Sequence, residues 1–300
     1  MVDVCIIGAG TAGLSAAIYG MRAGKSVLVL EALNYGGQII NTPDIENYPG
    51  FRHISGYDFA TALYEQANGL GMQLVYDKAT GIVQEKDKFI VHGNMAEYQA
   101  RTVILATGMK RRKLDIPGED KFRGLGVSYC ATCDGAFYRN RKVAVAGGGN
   151  SAFSEALYLS DFCEEVYLIH RRDTFRGEQN ALEQLRQKKN ISIIANATML
   201  SINGTDVVAS VSYRENATGH IRELPVDGLF VAVGSIPDTD YLDGFAALDE
   251  NGFVIADESC RTGVSGVFVA GDCRTKAVRQ LTTAAADGTV AALAACEYLK

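Results

Sequence analysis

The sequence predicts an α/β fold class with two Rossmann-like dinucleotide-binding domains, and three observations support this prediction. An apolar run, a glycine-rich turn and a helical run follow one another twice, over residues 2–23 and again over residues 142–161. The chain has 300 residues, more than a typical single domain contains. Its C-terminal segment has no second half of its own, so we pair it with residues 1–110. We therefore expect a second domain inserted into a discontinuous first domain.

Composition and charge argue against several classes of protein. A hydrophobic share of 47% is typical of a globular protein that buries a sizeable core. The net charge of −6 argues against a general nucleic-acid-binding protein, which would usually carry a basic surface. No apolar run approaches the length of a membrane span, and the N-terminus lacks the basic segment of an export signal. We expect a cytoplasmic protein that binds neither nucleic acid nor membranes.

The first glycine-rich turn follows the apolar strand Val2–Ile7. Gly8 permits a tight turn, Gly10 lets a pyrophosphate approach the backbone, and Gly13 lets helix and strand pack closely. The N-terminus of the helix offers unpaired N–H groups to the anion. Glu31 follows roughly 20 residues later, where a carboxylate can accept ribose hydroxyls. An ordinary glycine turn is the alternative, but the strand, helix and acid together favour a dinucleotide site.

The second glycine-rich turn places Gly147, Gly149 and Ala152 at the same fingerprint positions. The strand that follows ends in a basic stretch instead of an acid, and that stretch contains Arg171, Arg172 and Arg176. Guanidinium groups at this place favour a ribose 2′-phosphate, so we expect NADP(H) rather than NAD(H). A basic surface turn before the next helix is the alternative.

A Cys-x-x-Cys pair, Cys130 and Cys133, lies before the second glycine-rich turn and is followed directly by Asp134. The spacing allows a disulfide that forms and breaks easily. Half of a zinc site is the alternative, but zinc needs four ligands, and no second cysteine pair or nearby histidine pair occurs. A dithiol beside two dinucleotide sites suggests that electrons pass from a nicotinamide through a flavin to this pair, and then to another protein's disulfide.

The remaining cysteines and histidines are interpreted as structural. Five cysteines show no framework spacing, which fits a reducing cytoplasm and small hydrophobic residues of the core: Cys5, Cys163, Cys260, Cys273 and Cys296. Three isolated histidines are expected at the surface without a metal role: His53, His92 and His220.

Other patterns predict the connecting elements. Turn-forming residues predict a loop over residues 41–50, and the basic run at residues 110–113 predicts a domain boundary with a solvated face. Docking of an acidic partner is the alternative for that run. Apolar periodicity predicts helices over residues 14–23, 59–69, 153–161 and 179–188 and an Ala-rich helix to Lys300, with strands over 26–30, 73–92, 101–106, 142–146, 165–169, 190–213, 223–232, 253–256 and 267–270.

With these motifs in place, the sequence resembles the bacterial low-molecular-weight thioredoxin reductases along essentially its whole length. The segment from Cys130 to Asp134 resembles their redox motif, and residues 147–152 and 170–176 resemble their NADPH signature. Gly271-Asp272 and Arg279-Gln280 resemble their FAD-binding tail. The departures are small: Ser154 stands where an acid is common, and Gly177 stands where alanine is common.

The resemblance implies FAD and NADPH as cofactors, a homodimer, and thioredoxin or a thioredoxin-like protein as partner. Cys133 would receive electrons from the flavin, Cys130 would attack the partner's disulfide, and Asp134 would act as acid and base. A turn-forming role is the alternative for Asp134. The implied FAD contacts are Gly8, Gly10, Thr11, Ala12, Gly13, Glu31, Gly37, Gln38, Asn47, Thr107, Gly271, Asp272, Arg279 and Gln280. The implied NADPH contacts are Gly147, Gly149, Asn150, Ser151, Ala152, Arg171, Arg172 and Arg176.

We place the FAD-binding domain at residues 1–112 and 243–300, and the NADPH-binding domain with the redox pair at residues 113–242. Since the dithiol and the nicotinamide site fall in one domain, yet both must reach one flavin ring, we expect that domain to rotate.

Two other functions stay open. One is a flavoprotein electron carrier fed by a donor such as ferredoxin, which the three arginines disfavour. The other is a non-catalytic redox sensor, which the cysteine pair beside Asp134 disfavours.

Overall fold

The computed structural model describes residues 1–42 and 44–300. The chain forms two compact units, which we call the discontinuous unit (Met1–Lys110 and Ile236–Lys300) and the inserted unit (Arg111–Ser235). Among the described residues, no helix is both long enough and apolar enough to cross a membrane.

The helices and strands, in chain order, are as follows. The α-helices are α1 (Thr11–Arg22), α2 (Gly56–Gly69), α3 (Ala131–Asp134), α4 (Asn150–Ser160), α5 (Gln179–Gln187) and α6 (Leu281–Tyr298). The strands are β1 (Val2–Ile7), β2 (Val27–Glu31), β3 (Gln73–Tyr76), β4 (Ala79–Glu85), β5 (Lys88–Gly93), β6 (Glu97–Leu105), β7 (Met109–Arg111), β8 (Val127–Ser128), β9 (Lys142–Gly147), β10 (Glu165–Ile169), β11 (Ile191–Ile194), β12 (Ala197–Gly204), β13 (Val208–Glu215), β14 (Ile221–Pro225), β15 (Gly228–Ala232), β16 (Ser235–Pro237) and β17 (Val267–Val269). Short 3₁₀ helices cover Gly37–Asn41, Gly135–Tyr138, Asp240–Leu242 and Gly271–Cys273.

The discontinuous unit is built on a seven-stranded sheet. Strands β3, β2, β1 and β6 run parallel in that order, β17 pairs with β6 in parallel, and β5 and β4 continue the sheet antiparallel. Side chains of a strand point alternately to the two faces. Val4 and Ile6 of β1 accordingly join a buried cluster with residues of α1 and α6, whereas Cys5 and Ile7 join a second cluster with residues of β4 and β5. Both faces of β1 are therefore covered, as its unbroken apolar run predicts.

The inserted unit repeats this plan with a smaller sheet. Its five strands are all parallel, in the order β11-β10-β9-β15-β8, and a separate antiparallel sheet contains β12, β13 and β14. Val143 and Val145 of β9 pack with residues of α4 and α5, and Ala144 and Ala146 pack with residues of β12 and β13. These arrangements confirm the predicted α/β fold with two Rossmann-like domains, one of them inserted into the other.

Glycine-rich turns follow β1 and β9, and each of these strands is central in its sheet. Strand β1 lies between β2 and β6, and β9 lies between β10 and β15. The chain leaves both strands at the point where the order of the sheet reverses. In open α/β sheets this is the place where ligands bind, beyond the carboxyl ends of the strands.

Several predicted elements differ from those observed. Helix α1 begins at Thr11 instead of residue 14, and α4 begins at Asn150 instead of residue 153, because each helix starts inside its glycine-rich turn. Helix α2 begins at Gly56, since the Ser55 side chain caps it by accepting the N–H of Asp58 at 3.0 Å. In the loop predicted over residues 41–50, Asn41 belongs to a 3₁₀ helix, and residue 43 lies outside the described residues.

The strand predicted over residues 253–256 is wrong. Within this run Val254 alone forms β-bridges, which are isolated and join it to Leu248 and Arg274. The Asp249 carboxylate accepts the N–H groups of Asn251 and Phe253, both at 2.9 Å, so a tight turn holds the start of the run. Val254 is buried but Ile255 is exposed, so the apolar run marks one buried position with isolated bridges and not a strand.

The chain passes between the two units in β7 and β16, which pair with each other. The unit boundaries lie at residues 110/111 and 235/236, whereas the sequence placed them at 112/113 and 242/243. The basic run at this boundary faces solvent, with Arg112 and Lys113 exposed, and two of its lysines pair with acids. Lys110 pairs with Asp238 at 3.5 Å and also contacts Asp240, and Lys113 pairs with Asp120 at 2.6 Å.

The contact between α1 and α6 yields a stability prediction. A Cβ atom added to Gly288 in α6 would lie 2.1 Å from the Ala12 carbonyl oxygen, a backbone atom that cannot move aside. We expect Gly288→Ala to cost about 1–3 kcal/mol and to lower the midpoint of thermal unfolding. The control is Gly69→Ala, because a Cβ there meets no heavy atom within 4 Å. An unchanged midpoint in Gly288→Ala would contradict the packing described here.

Candidate functional site

The first glycine-rich turn brings backbones closer than a side chain would allow. Gly8 has φ +108°, and a Cβ atom there would lie 2.4 Å from the Ala106 carbonyl oxygen. A Cβ at Gly13 would lie 1.8 Å from the oxygen of Gly8. Gly10 caps α1 without a side-chain hydrogen bond, which leaves the first N–H groups of this 12-residue helix available to an anion. Thr11 and Ala12 form the buried first turn of the helix.

Glu31 and Gly37 complete this side of the candidate site. The Glu31 carboxylate accepts the N–H of Ala9 at 2.8 Å and the N–H of Leu33 at 2.9 Å. It is therefore fixed beside the turn, as its predicted contact with ribose hydroxyls requires. A Cβ at Gly37, where φ is +66°, would lie 3.2 Å from the Gly10 Cα atom, so these two backbones also approach closely. Gln38 donates from Nε2 to the Met109 carbonyl.

A buried cluster of charges supports the C-terminal part of the site. Asp287 of α6 accepts two hydrogen bonds from Arg274, each 2.9 Å long, and one from Lys276 at 3.0 Å. Its Oδ2 atom also accepts the N–H of Gly271 at 3.1 Å. Burial raises the pKa of Asp287, but the hydrogen bonds from Arg274 and Lys276 outweigh it and hold the pKa below its usual value. The carboxylate thus stays charged and fixes the turn at Gly271.

The Asp272 side chain has an unsatisfied oxygen that matches a polyol ligand. Its Oδ1 atom is buried and has no hydrogen-bond partner among the described residues. Burial raises the pKa of Asp272, and the attraction of Lys276, whose Nζ lies 3.6 Å from Oδ1, only partly offsets this effect. A buried acceptor without a donor is costly, and the hydroxyl groups of a ribityl chain would supply donors. The residues present therefore fit a flavin dinucleotide.

The remaining residues predicted for this site form hydrogen bonds within the discontinuous unit. Arg279 donates to the Asp272 carbonyl at 3.2 Å, and its guanidinium lies 3.9 Å from the centroid of the Phe253 ring. Asn47 Nδ2 donates to Gln280 Oε1 at 3.3 Å across 233 residues of sequence. Thr107 instead donates its hydroxyl to the Asp238 carbonyl at 2.6 Å, so a backbone oxygen already uses this proton.

The second glycine-rich turn has the same steric character. Gly147 has φ +158°, and a Cβ there would lie 2.4 Å from the Ala232 oxygen and 2.7 Å from the Ala152 Cβ. Gly149 caps α4 without a side-chain bond. Asn150 accepts the N–H of Glu178 at 2.7 Å, which joins the start of α4 to the start of α5. Ser151 is exposed in the first turn of α4.

The basic stretch folds back onto this turn. The N–H of Arg176 donates to the Gly148 carbonyl at 2.8 Å, and His170 stacks on Phe175 with ring centroids 5.0 Å apart. Burial, aided by the neighbouring arginines, lowers the pKa of His170 despite its bond to the Thr174 carbonyl. The side chains of Arg171, Arg172 and Arg176 are exposed, and among the described residues none of them forms a salt bridge. Three free guanidinium groups near a helix N-terminus fit a dinucleotide that carries an extra phosphate.

The two sulfur atoms of the Cys-x-x-Cys motif are joined. Cys130 and Cys133 form a disulfide at the start of α3, with Cα atoms 5.4 Å apart. The Asp134 carboxylate accepts the Ser128 hydroxyl at 2.6 Å, and the Ser128 hydroxyl accepts the N–H of Cys130 at 3.0 Å. The acid predicted to serve the dithiol is therefore linked to it through Ser128, which sequence reasoning did not single out. The only sequence signal was a serine two residues before a redox cysteine, which does not by itself indicate this contact.

Glu155 is a second residue that sequence reasoning left without a role. Its side chain is 12% exposed, and its Oε2 atom has no hydrogen-bond partner among the described residues. The distance from its Oε1 atom to Arg111 Nη2 is 3.9 Å. Burial outweighs the attraction of Arg111 and raises the pKa of Glu155 to about 7. Its spacing of three residues from Ala152 and four from Leu159 places an acid on the apolar side of α4, which is the sequence signal.

The remaining cysteines lie where expected, but two of the histidines have acidic neighbours. The five other cysteines are free and buried. His53 is not isolated, because its Nδ1 atom lies 3.1 Å from Asp44 Oδ2 and 3.4 Å from Glu46 Oε1, all three side chains being exposed. His92 likewise pairs with Glu97 at 3.1 Å.

Known proteins resemble the chain over almost its full length. A family model for pyridine nucleotide-disulphide oxidoreductases matches residues 2–288. A thioredoxin reductase of Treponema pallidum is 43% identical over 298 residues, which cover 99% of this chain and 97% of that protein. The Lactococcus lactis thioredoxin reductase structure matches with a TM-score of 0.92 at 39% identity, covering 100% of this chain and 99% of that chain. A ferredoxin-flavin thioredoxin reductase of Clostridium acetobutylicum matches with a TM-score of 0.55 at 32% identity, covering 99% and 98%.

The raised pKa of Glu155 predicts a pH-dependent stability. Between about 4.5 and 7 the unfolded state releases this proton while the folded state keeps it, so stability falls as pH rises through this window and levels off above it. Glu155→Gln has no proton to lose. We expect this variant to gain stability relative to the parent between pH 5 and pH 8, by roughly 3 kcal/mol at most.

Urea unfolding of both proteins at the two pH values measures this difference. Glu183→Gln on the exposed side of α5 controls for the removal of one charge. An identical pH dependence in Glu155→Gln and the parent protein would show that the buried carboxyl is ionised throughout.

Proposed function

Because the chain belongs to the pyridine nucleotide-disulphide oxidoreductases and, within them, to the thioredoxin reductases, we propose that it reduces the disulfide of thioredoxin or a thioredoxin-like protein with electrons from NADPH. The electrons would pass through FAD to the Cys130–Cys133 pair. The observation that carries this proposal is the Cys130–Cys133 disulfide, linked to an acid in the same unit that holds the second glycine-rich turn. Family membership implies a flavin and a nicotinamide nucleotide; FAD and NADPH are the specific choices proposed here.

FAD would bind in the discontinuous unit. The residues proposed to hold it are Gly8, Gly10, Thr11, Ala12, Gly13, Glu31, Gly37, Gln38, Asn47, Thr107, Gly271, Asp272, Arg279 and Gln280. Support comes from the close backbone approach at the first turn and from the unsatisfied Asp272 oxygen. When bound, the flavin supplies a carrier of two electrons between the nicotinamide and the disulfide.

NADPH would bind in the inserted unit. Residues Gly147, Gly149, Asn150, Ser151 and Ala152 would receive the pyrophosphate at the N-terminus of α4, and Arg171, Arg172 and Arg176 would bind the 2′-phosphate. The unpaired state of the three guanidinium groups supports this choice, because they need no rearrangement of existing ion pairs to accept the phosphate.

The dithiol performs the last transfer. Reduction breaks the Cys130–Cys133 bond and adds two electrons and two protons, which gives two thiols. Cys130 would pass its proton to Asp134 and, as thiolate, attack one sulfur of the partner's disulfide, which forms a mixed disulfide and releases a partner thiolate. Asp134 would give its proton to that leaving thiolate. Cys133 would then lose its proton and attack the Cys130 sulfur, which re-forms the internal disulfide and releases the partner's second sulfur as a thiolate that takes up this proton.

Ferredoxin as electron donor is the competing proposal, since one structural relative is named a ferredoxin-flavin thioredoxin reductase. The three free arginines favour NADPH, because a donor protein would have no use for a phosphate site. Rapid bleaching of the flavin absorbance by NADPH would exclude the competing proposal. We also propose a cytoplasmic homodimer, and the five buried free cysteines fit a reducing compartment.

The first test of the proposed function separates flavin reduction from partner reduction. In an anaerobic titration we expect NADPH to reduce the flavin in the parent protein, in Cys130→Ser and in Cys133→Ser. Thioredoxin reduction should fall to background in both variants, because a single thiol cannot complete the exchange. Cys163→Ala, a buried free cysteine of the same unit, is the control that keeps both activities. Thioredoxin reduction that survives the loss of both sulfurs would disprove the proposed route.

The second test concerns the choice of nucleotide. We expect Arg172→Ala to raise the KM for NADPH by roughly tenfold, since it removes a charge-assisted bond to phosphate, and to change the KM for NADH little. Arg186→Ala, an exposed arginine in the last turn of α5, controls for net charge. Steady-state kinetics with both nucleotides measure the effect. Equal increases for NADPH and NADH would place the 2′-phosphate elsewhere.

A further inference from the structure

The hydroxyl of Ser128 connects the redox disulfide to its acid. It lies 2.6 Å from Asp134 Oδ2, accepts the N–H of Cys130 at 3.0 Å, and lies 3.3 Å from the Cys130 carbonyl. A hydroxyl has one proton to donate. Since 2.6 Å is the usual length of a bond from O–H to a carboxylate, that proton faces Asp134. Among the described residues no hydrogen bond occupies Asp134 Oδ1, so one oxygen is fixed and the other is available.

Ser128 itself is held firmly. It is 5% exposed and ends β8, where it pairs with Phe230 of β15 in the parallel sheet. The next residue is also anchored, because the Tyr129 hydroxyl donates to Glu119 at 2.7 Å, and the same carboxylate accepts the N–H groups of Leu114 and Asp115. The N–H of Asp134 donates to the Cys130 carbonyl at 3.1 Å, which closes the turn. A rigid strand end thus sets the position of the carboxylate relative to Cys130.

We propose that Ser128 is a positioning residue for proton transfer by Asp134, an inference that rests on the proposed disulfide exchange. Its O–H bond fixes Asp134 Oδ2 and leaves Oδ1 to carry the proton. The same hydroxyl accepts the N–H of Cys130, so it also fixes the carboxylate relative to the residue whose sulfur attacks the partner. Ser128 neither gains nor loses a proton in the reaction.

The hydrogen bond from Ser128 to Asp134 contributes while the partner's disulfide is being cleaved. As the partner's S–S bond breaks, one sulfur joins Cys130 and the other leaves with the electron pair. The proton on Asp134 Oδ1 passes to that leaving thiolate, which gives a thiol and leaves Asp134 as a carboxylate. The Ser128 hydroxyl keeps its bond to Oδ2 through this step, so the carboxylate that forms already has a charge-assisted donor.

A double-mutant cycle tests the proposal, with Ser128→Ala, Asp134→Ala and the double variant measured as holoenzymes with NADPH and thioredoxin. We expect Ser128→Ala to lower kcat roughly tenfold, the usual effect of losing a hydrogen bond to a charged group, with an unchanged KM for thioredoxin. In the Asp134→Ala background the same substitution should lower kcat less than about twofold. Ser128→Thr keeps the hydroxyl and should retain most of the parental rate. Equal losses in both backgrounds, or a threonine variant as slow as the alanine variant, would overturn the proposal.

A second measurement does not depend on thioredoxin. After chemical reduction, Cys130 is alkylated with iodoacetamide at pH 7. Without the Ser128 hydroxyl the negative charge of Asp134 lacks its donor and disfavours the Cys130 thiolate more strongly, so we expect Ser128→Ala to react roughly threefold more slowly. This slowing should vanish when Asp134 is alanine. A parent protein that fails to reduce thioredoxin would refute the proposed function, while an unchanged or Asp134-independent alkylation rate would refute the role of Ser128.

Discussion

The absence of side chains at a few glycines is the constraint on which both units depend. In the discontinuous unit, Cβ atoms at Gly8, Gly13 and Gly288 would each fall within 2.4 Å of a backbone oxygen. The end of β1, the start of α1 and the side of α6 can meet only because these atoms are missing. Gly147 plays the same part in the inserted unit. The close approach buries the apolar faces, and the glycines Gly10 and Gly149 leave the starts of α1 and α4 without a side-chain cap.

A cluster of buried charged side chains holds a glycine-containing turn in place. The turn at Gly271 has little side chain to anchor it, and its N–H bonds to Asp287. A lone buried carboxylate would be costly, but Arg274 and Lys276 supply three hydrogen bonds to it. Asp272 differs, because its Oδ1 atom has no hydrogen-bond donor among the described residues. Asp287 thus completes the fold, whereas the buried oxygen of Asp272 agrees with the proposed contact to a ligand.

Sequence patterns predicted most of the fold because its strands and turns are defined by local features. Strand Glu165–Ile169 and the glycines of both turns follow from an apolar run and a steric rule. Patterns failed where a partner is distant in the chain. At residues 253–256 the structure has isolated bridges at Val254 instead of a strand, and nothing near Asp287 in sequence predicts its bond to Gly271. Ser128 was missed because a serine in a strand is unremarkable until Asp134 folds back onto it.

The two turns share a steric design and differ in charge, and this difference distinguishes their ligands. In the first unit Glu31 is fixed by the N–H of Ala9, and a carboxylate so placed accepts hydroxyls but repels an added phosphate. In the second unit the equivalent place is followed by three unpaired guanidinium groups, which attract a phosphate. If both turns carried an acid, neither would offer a phosphate a favourable charge. Opposite charges on one scaffold therefore agree with the proposal that the two turns bind different dinucleotides.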